Sequence, residues 1–343
     1  MNEKEKATPS VAVVGAGMAG VMCAASLKGA GYSVTLFDKA RGTGGRLSSR
    51  RLEGVPFDLG AQVIQAQHPD FVAQLAKWEE KGWVVPWPEE QGWCAVPRMS
   101  GLTRQISAGI PFEPSCRIVR IEPVEATWQL EDDQQRLWSG FDHLVLALPA
   151  PQAAALLQPV APAWAQQAAS IALQPCWTAY FRLDPTEPIP AVSHLPRATP
   201  FAQTTPSPDA GELGLRRWTC QAAKPSWCES TDAALWVVEA NTAWSAAHLD
   251  TPPAEVAEAL FNLWKQVVGQ PQLAQPIHLA AHRWLYALTA NVCASPYWSS
   301  SLHKAEVAAG LHLCGDYFQQ TGVEGAYLSG RALAEALIHA QQG

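Results

Sequence analysis

Three glycines near the start of the chain have the spacing that binds the phosphates of a nucleotide. Gly15, Gly17 and Gly20 form a G-x-G-x-x-G pattern directly after the apolar run Val11–Val14. In such a pattern the first glycine permits a tight turn, the second lets the backbone approach a pyrophosphate, and the third lets a helix pack closely on a strand. The helix N-terminus then presents free N–H groups to the phosphates. These residues predict a dinucleotide site.

The segments around the glycines are those of a βαβ unit. A small-residue segment of helical character follows as far as Gly31, and a second apolar run, Val34–Phe37, ends in Asp38. An acid at the end of that strand accepts hydrogen bonds from a ribose hydroxyl. This order of elements alone does not distinguish NAD from FAD.

The loop after Asp38 helps to choose between the two dinucleotides. Residues 39–47 contain Arg41, Arg46 and three glycines. Glycines permit close approach of the backbone, and guanidinium groups offer forked donors to a phosphate or to the edge of an isoalloxazine ring. A basic turn on a solvated surface is the alternative interpretation.

Two further segments favour a flavin. Residues 58–62 (Asp-Leu-Gly-Ala-Gln) are suited to bring backbone beneath a flavin ring. Gly315 and Asp316 close an apolar run near the C-terminus, where the carboxylate is placed to accept from ribityl hydroxyls. The N-terminus of a helix predicted over Val323–Ala340 would then point at the pyrimidine side of the flavin, where reduction places negative charge.

The composition limits the class of partner. The 343 residues carry a formal net charge of −7, which argues against nucleic acid or an anionic membrane as the main partner. Residues 1–10 lack the apolar core of a signal peptide, and no stretch approaches the roughly 18 apolar residues of a membrane span. The eight cysteines have no spacing that suggests zinc, so we expect thiols and no metal site. These features predict a cytoplasmic protein.

The apolar patterns predict two domains. We expect buried strands at His143–Leu148 and Leu311–Cys314, an alternating strand at Cys176–Leu183, an irregular segment at Trp83–Pro97 and a loop at Pro185–Pro208. The predicted fold is α/β, with a Rossmann-like FAD-binding domain and an inserted, mainly antiparallel β substrate domain. The predicted FAD-binding domain comprises residues 10–72, 101–155 and 288–343. The predicted substrate domain comprises residues 73–100 and 156–287.

Several longer strings carry a resemblance that covers nearly the whole chain. LFDKARGTGGRLSSRR, FDLGAQ, AHRWLYA, LHLCGD and VEGAYLSGRALAEAL occur in this order. The chain resembles the bacterial renalase-like flavoproteins, within the amine oxidase and hydroxylase type of two-dinucleotide-binding flavoprotein. The resemblance implies non-covalent FAD, oxidation of off-pathway isomers of reduced nicotinamide dinucleotides by hydride transfer to flavin N5, and reoxidation of the flavin by O2 to give H2O2.

The resemblance also implies the residues that contact FAD. Ala16, Gly17 and Met18 would face the pyrophosphate, and Asp38 and Lys39 would flank the adenosine ribose. Arg41, Arg46 and the turn at Gly60, Ala61 and Gln62 would contact the phosphates and the ring, and the Ile118 backbone would bond to adenine. Asp316, Val323 and Glu324 would lie by the ribityl chain and ring. The full predicted set is Gly15, Ala16, Gly17, Met18, Ala19, Asp38, Lys39, Arg41, Gly45, Arg46, Gly60, Ala61, Gln62, Ile118, Gly315, Asp316, Val323 and Glu324.

The positions that would contact substrate depart from the family pattern. An aromatic pair and a threonine are replaced by Val63, Ile64 and Gln65, and Pro-Gly-Met becomes Pro-Arg-Met at Arg98. A threonine is replaced by Cys176 and an arginine by Gly322. Loss of an aromatic platform and a cation removes groups suited to a nicotinamide nucleotide, although Arg98 restores a charge. The predicted substrate-binding residues are Gln62, Val63, Ile64, Arg98, Cys176 and Gly322.

His282 and Trp284 are the predicted catalytic residues. On a strand they share a face with Tyr286, whereas Arg283 points away. His282 would donate to the flavin or the substrate, and Trp284 would stack on either; a structural histidine bonded to a backbone carbonyl is the alternative. Hydride transfer requires no acid–base pair, because the flavin carries the chemistry.

The predicted function is that of an FAD-dependent oxidase acting on a dihydronicotinamide-type small molecule, with O2 as electron acceptor. The alternatives are an FAD-dependent amine oxidase or desaturase acting on another metabolite, and a flavin-binding protein without turnover. An NAD-dependent dehydrogenase is the weakest alternative.

Overall fold

The sequence folds into two units, each assembled from pieces that are distant in the chain. The computed structural model describes residues 8–184, 213–227, 235–301 and 307–342. The first unit comprises Met1–Gly45, Thr103–Ala172 and Thr289–Gly343, and the second comprises Arg46–Leu102 and Leu173–Leu288. The assignment of FAD binding to one predicted domain and substrate binding to the other remains a prediction.

The strands and helices of the described residues are numbered here in chain order. The strands are β1 (Ser10–Val14), β2 (Ser33–Phe37), β3 (Ser49–Leu52), β4 (Val55–Asp58), β5 (Val84–Trp87), β6 (Gly92–Ala95), β7 (Phe112–Glu113), β8 (Ile118–Val124), β9 (Thr127–Asp132), β10 (Leu137–Phe141), β11 (His143–Leu146), β12 (Leu173–Arg182), β13 (Leu215–Cys220), β14 (Leu235–Ala240), β15 (His278–Thr289), β16 (Trp298–Ser299) and β17 (Leu311–Leu313). The α-helices are α1 (Met18–Gly29), α2 (Pro69–Glu80), α3 (Met99–Ile106), α4 (Ala150–Leu157), α5 (Pro162–Ala169), α6 (Thr242–Ala247), α7 (Pro253–Val267) and α8 (Gly322–Gln342).

A largely parallel sheet forms the centre of the first unit. Its order is β16-β17-β11-β1-β2-β7, and β16 alone runs antiparallel to its neighbour. The β1 residues from Val11 to Val13 are fully buried, as expected for a strand covered on both faces. The strands predicted at His143 and at Leu311 therefore lie beside β1 in this sheet, and the antiparallel sheet β10-β9-β8 belongs to the same unit.

Helices α1 and α8 pack closely because small residues meet where they cross. A Cβ atom on Gly330 of α8 would lie 2.2 Å from the carbonyl oxygen of Ala19 in α1. That distance is far below van der Waals contact, so a larger residue at position 330 would force the helices apart. The close crossing fixes α1, whose N-terminus follows the glycine turn.

An antiparallel sheet in the order β13-β14-β12-β15 forms the second unit, together with the hairpins β3–β4 and β5–β6. Alternate residues of β12 from Trp177 to Phe181, and then Leu183, are buried against α7, as the sequence pattern predicts. On α7 the apolar face includes Leu260 and Trp264. This packing is the main hydrophobic core of the unit.

One segment differs from the structure predicted for it, and another prediction falls outside the described residues. The irregular structure predicted for Trp83–Pro97 is wrong, because this segment forms the β5–β6 hairpin, with Val84 paired to Ala95. Its tryptophans and prolines obscure the alternating pattern from which strands are recognised. The loop predicted at Pro185–Pro208 lies outside the described residues. Among the described helices, none has the length and apolar character needed to span a membrane.

Candidate functional site

At two of the three glycines in the turn after β1, contacts within the protein leave no room for a side chain. Gly15 has a φ of +107°, and a Cβ atom there would lie 2.4 Å from the carbonyl oxygen of Ala147. A Cβ atom on Gly20 would lie 1.9 Å from the carbonyl oxygen of Gly15. These two positions require glycine for folding alone, as the tight-turn and helix–strand packing roles predict.

Gly17 differs from both because, among the described residues, no atom requires it to be glycine. A Cβ atom on Gly17 would meet nothing within 4 Å, and its φ of −78° and ψ of −175° are accessible to any residue. The space above Gly17 is therefore open, at the N-terminus of α1. Open space and helix N–H groups at this point fit the pyrophosphate of a dinucleotide.

A second glycine-rich loop lies against this turn. The Gly44 N–H donates to the carbonyl oxygen of Ala16 at 2.9 Å, and a Cβ atom on Gly45 would lie 3.3 Å from the Gly17 Cα. Lys39 and Arg41, on the same loop, are exposed. The structure thus brings Gly44 and Gly45 of the second sequence segment against the first glycine turn.

Asp38 links the two loops through both carboxylate oxygens. Oδ2 accepts from the Ala16 N–H at 2.7 Å, and Oδ1 accepts from the Ala40 N–H at 2.8 Å. Burial raises the pKa of Asp38, and these two N–H donors oppose that shift. Because the N–H and C=O groups of Ala16 both bond within the protein, we assign Ala16 a turn-shaping role and expect the pyrophosphate contacts at Gly17 and Met18.

The segment leading to Ile118 approaches Asp38. The Cys116 N–H donates to the Asp38 carbonyl at 2.8 Å, and the Ser115 N–H donates to the Ala40 carbonyl at 3.0 Å. Ile118 itself is buried at the start of β8. The predicted ribose and adenine contacts are therefore adjacent in the first unit.

The C-terminal signature forms a polar cluster around the start of α8. The Gly315 N–H donates to Ser329 Oγ at 3.0 Å, and the buried Asp316 accepts from Thr289 Oγ1 at 3.1 Å. Glu324 is also buried and accepts from the side-chain amide of Gln320. Val323 is half-buried, and Gly322 begins the helix with a φ of +77° and open space around its Cα.

The Gly60 turn lies in the second unit, next to Arg46. A Cβ atom on Gly60 would lie 2.0 Å from the Arg46 carbonyl oxygen, and the Ala61 N–H donates to the same oxygen at 2.9 Å. Arg46 also donates to the Ala287 carbonyl at 3.3 Å. The structure therefore joins the predicted arginine, the predicted turn and strand β15.

Most of the predicted substrate residues have clear packing roles. Ile64 is fully buried and pairs with Trp93, Val63 packs over Gly92, and the Gln62 side chain is bonded inside the unit. The buried Cys176 thiol donates to the Ala240 carbonyl at 3.5 Å, and burial raises its pKa to about 12. Arg98 is half-buried in front of α3. Their contact with substrate remains a prediction.

Strand β15 presents His282 and Trp284 on one face and Arg283 on the other, as predicted. The two rings are perpendicular, with centroids 4.6 Å apart, and Trp284 packs against the cluster that contains Phe57 and Leu59. Arg283 is exposed and donates to the carbonyl of Leu249.

Burial and the neighbouring Arg50 together keep the His282 ring neutral. Its guanidinium lies 3.4 Å from His282 Nδ1, and burial together with this charge lowers the pKa of His282 to about 4. A guanidinium only donates hydrogen bonds, so Nδ1 is the acceptor and the neutral ring carries its proton on Nε2. His282 is thus a hydrogen-bond donor through Nε2 at neutral pH.

Sequence reasoning did not single out Arg50, Gln221 or Lys224. Arg50 stands in a string used for the family resemblance, but its contact with His282 spans 232 positions. Lys224 forms an ion pair with Asp58 across 166 positions. No local pattern reports such distant pairings; alternation in β3 alone would have suggested that Arg50 and Arg51 face opposite sides.

Two family models match the chain. The NAD(P)-binding Rossmann-like domain matches residues 13–77, and the flavin containing amine oxidoreductase matches residues 87–338, well over half of the chain. A curated relative, 4,4'-diapophytoene desaturase (4,4'-diaponeurosporene-forming) from Staphylococcus haemolyticus, is 40% identical over 72 residues. That match covers 21% of this chain and only 14% of the relative.

Solved structures share the fold over nearly the full chain. A structure from Exiguobacterium sp. 255-15 has a TM-score of 0.70 at 11% identity and covers 98% of this chain and 100% of its own. Cyclohexylamine oxidase from Brevibacterium oxydans IH-35A has a TM-score of 0.64 at 15% identity, covering 98% and 100%. Putrescine oxidase bound to putrescine has a TM-score of 0.64 at 12% identity, covering 97% and 99%.

The match of the family model agrees with the geometry of the glycine turn, of Asp38 and of the polar cluster at the start of α8. The fold is the α/β fold expected from the sequence, with a Rossmann-like part and antiparallel sheets. The chain belongs to the flavin containing amine oxidoreductase family and is an FAD-dependent oxidoreductase.

Proposed function

We propose that this oxidoreductase is an oxidase that binds FAD non-covalently and takes a hydride from a flat, phosphate-bearing small molecule of the dihydronicotinamide type. The observation that carries the choice of substrate is the pairing of Arg50 with the neutral His282 beside Trp284 on β15. An aromatic edge, a neutral donor and a guanidinium group suit an anionic donor with a planar ring.

The first unit supplies the groups that would hold FAD. Gly17 and Met18 at the start of α1 would meet the pyrophosphate, and Asp38 would meet the adenosine ribose. Asp316 and the start of α8 would meet the ribityl chain. When bound, FAD would supply the hydride acceptor at N5, and O2 would be the electron acceptor that is reduced to H2O2.

The second unit supplies the groups that would orient the substrate. The Nε2–H of His282 would donate to a carbonyl or ring oxygen of the substrate, and its low pKa keeps it neutral through the physiological range. Arg50 would attract substrate phosphate while holding the His282 ring. In this arrangement His282 is uncharged, and its Nδ1 is occupied by Arg50 and does not accept a proton from the substrate. His282 would therefore orient the hydride-donating substrate and would not remove a proton from it.

The test is anaerobic reduction of the purified holoenzyme. Isomeric dihydronicotinamide dinucleotides are each mixed with the protein, and loss of the visible flavin absorption is followed; admission of air should restore it and release peroxide. Arg50→Met should raise the apparent KM for the phosphate-bearing donor roughly tenfold, because it removes a charge-assisted contact. Arg51→Met, one residue further along the hairpin and exposed, is the matched control.

A second candidate function is an amine oxidase or desaturase acting on another metabolite. The family match and the likeness to cyclohexylamine and putrescine oxidases favour it. The guanidinium beside His282 disfavours a cationic amine in that position. Reduction by an amine panel and not by the dihydronicotinamides would reject the first proposal in favour of this one. A flavin reduced only by dithionite would instead support a binding protein without turnover.

A further inference from the structure

The turn at residues 58–62 is held by a buried polar cluster in the second unit. Asp58 and Lys224 form an ion pair of 2.5 Å, and their side chains are 3% and 1% exposed. We name this group the Asp58 cluster; its members are Ser49, Asp58, Gln62, Met99 (through its N–H), Ser100, Gln221 and Lys224.

Asp58 bonds to four partners in three other parts of the unit. Oδ1 accepts from the Met99 N–H at 2.9 Å and from Ser49 Oγ at 2.7 Å, while Oδ2 accepts from Lys224. The Asp58 N–H donates to Gln221 Oε1 at 3.0 Å. The carboxylate therefore ties β3, the start of α3 and the segment after β13 to the end of β4.

Gln62 closes the turn from the other side. Its Nε2 donates to the carbonyls of Asp58 at 2.7 Å and Gly60 at 2.9 Å, and its Oε1 accepts from Gln221 Nε2 at 2.9 Å. One side-chain amide thus spans the turn, and a second amide, that of Gln221, bridges Asp58 and Gln62. Both amides are buried.

A cluster of this kind is poorly explained by stability alone. Burying an ion pair costs desolvation that its attraction only roughly offsets, and apolar residues of similar size are often as stabilising. Directional bonds do, however, fix the orientation of the groups they join. Here all the bonds except those between Ser49 and Ser100 end on residues 58–62, the segment expected to pass beneath the flavin ring.

We propose that Lys224 and Gln221 are positioning residues that hold the backbone of the 58–62 turn in the conformation that meets the flavin. The inference rests on the proposed FAD site and adds residues from a distant part of the chain to it. In this assignment the Gln62 side chain acts inside the protein, and the turn presents its backbone to the cofactor. Neither Lys224 nor Gln221 touches the reacting atoms.

The experiment compares Gln221→Leu and Lys224→Met with the wild type. Gln221→Leu removes both bridging bonds but leaves the ion pair, so it is the milder variant. Arg217→Leu is the control, because it removes the Arg217–Glu90 pair of 2.8 Å from the same unit without touching the cluster. Hydrogen exchange of the amides of residues 59–62 is measured without FAD, and the dissociation constant, visible spectrum and reduction potential of the flavin are measured with it.

Both cluster variants should exchange these amides at least about tenfold faster, weaken FAD binding by roughly tenfold and shift the flavin spectrum and potential. The control should change none of these quantities. If Lys224→Met does not fold, the same measurements are made on Gln221→Leu and on the double variant Asp58→Asn/Lys224→Met. The double variant leaves no unpaired charge in the cluster. Wild-type exchange rates, affinity and spectrum in the folded variants would overturn the inference. A wild-type protein unable to bind FAD would reject the proposed function itself.

Discussion

At the scale of single residues, Gly17 differs from the other two glycines of the turn, and its predicted role is to let the backbone approach the pyrophosphate. A side chain on Gly15 would meet the Ala147 carbonyl and one on Gly20 would meet the Gly15 carbonyl, whereas in the described part of the chain no atom would exclude a side chain at Gly17. A sequence pattern treats the three glycines alike. The structure separates the two that fold the turn from the one that is predicted to meet the pyrophosphate.

Gly17→Val and Gly20→Val should therefore fail in different ways. Gly17→Val should lower the free energy of unfolding of the apoprotein by about 1 kcal/mol at most, the cost of a poor N-cap, yet abolish FAD binding. Gly20→Val should lower it by about 3 kcal/mol or more, because its Cβ meets backbone. Chemical denaturation and flavin content measure the two effects. Normal flavin loading in Gly17→Val would contradict the placement of the pyrophosphate.

His282 should make stability depend on pH in a defined window. Its pKa is about 4 in the folded protein against 6.5 for an unperturbed histidine. The unfolded chain therefore binds a proton as the pH falls below about 6.5 while the folded protein does not, so stability decreases from about pH 6.5 to about pH 4. Between pH 7 and pH 5 the wild type should lose about 1 kcal/mol more than His282→Gln, because solvent screens the half-buried ring and reduces the effect of the shift.

The other shifted histidines do not affect this comparison. Burial also lowers the pKa of His143 and of His312, but both are present in the wild type and the variant. A second variant, Arg50→Met, should raise the pKa of His282 without restoring its ordinary value, because burial remains. Titration of the His282 ring by NMR checks this, and an unchanged pKa would mean that Arg50 does not set the state of the ring.

At the scale of elements, the crossing of α1 and α8 controls where the N-terminus of α1 points. Gly330→Ala should lower the free energy of unfolding by about 1–3 kcal/mol, because the new Cβ meets the Ala19 carbonyl at 2.2 Å. FAD affinity should fall with it, since a shifted α1 displaces Gly17 and Met18. Gly29→Ala, in α1 but with no described atom within 4 Å of its Cβ, should be neutral or stabilising by up to about 1 kcal/mol. Equal behaviour of the two variants would contradict the close-packing argument.

The elements also show where sequence patterns succeed and where they fail. Runs such as Val11–Val14 and the alternating residues of β12 were predictable because apolar periodicity reports burial directly. The β5–β6 hairpin was not, because Pro86 lies within β5 and its tryptophans interrupt the alternation. The hairpin is recognised only from the pairing of β5 with β6 in the folded structure.

At the scale of the whole molecule, FAD should act as a ligand of the folded state. FAD at about 100 times its dissociation constant should raise the free energy of unfolding by about 2.7 kcal/mol, because only the folded chain binds it. NAD should not produce this rise, and neither ligand should stabilise Gly17→Val. Thermal unfolding over a series of ligand concentrations measures the effect; stabilisation by NAD and not by FAD would return the chain to the dehydrogenase alternative.

The sequence by itself determined the cofactor class and the kind of fold. Glycine spacing, the acid after the second strand and the apolar runs are local signals, since each depends on residues within a turn or a strand of one another. The predicted roles of Asp38 and of the Gly60 turn rest on such local signals. The family resemblance extended the prediction to Ile118 and Glu324.

Only the tertiary structure decided what the polar side chains do once they are brought together. It placed Arg50 against His282, Lys224 against Asp58, and the predicted substrate residue Gln62 in bonds within its own turn. These pairs join residues more than 150 positions apart, or depend on which partner is within hydrogen-bonding distance. Hydrogen bonds act over about 3 Å, so they are fixed by the packing of distant segments and leave no periodic trace in the chain.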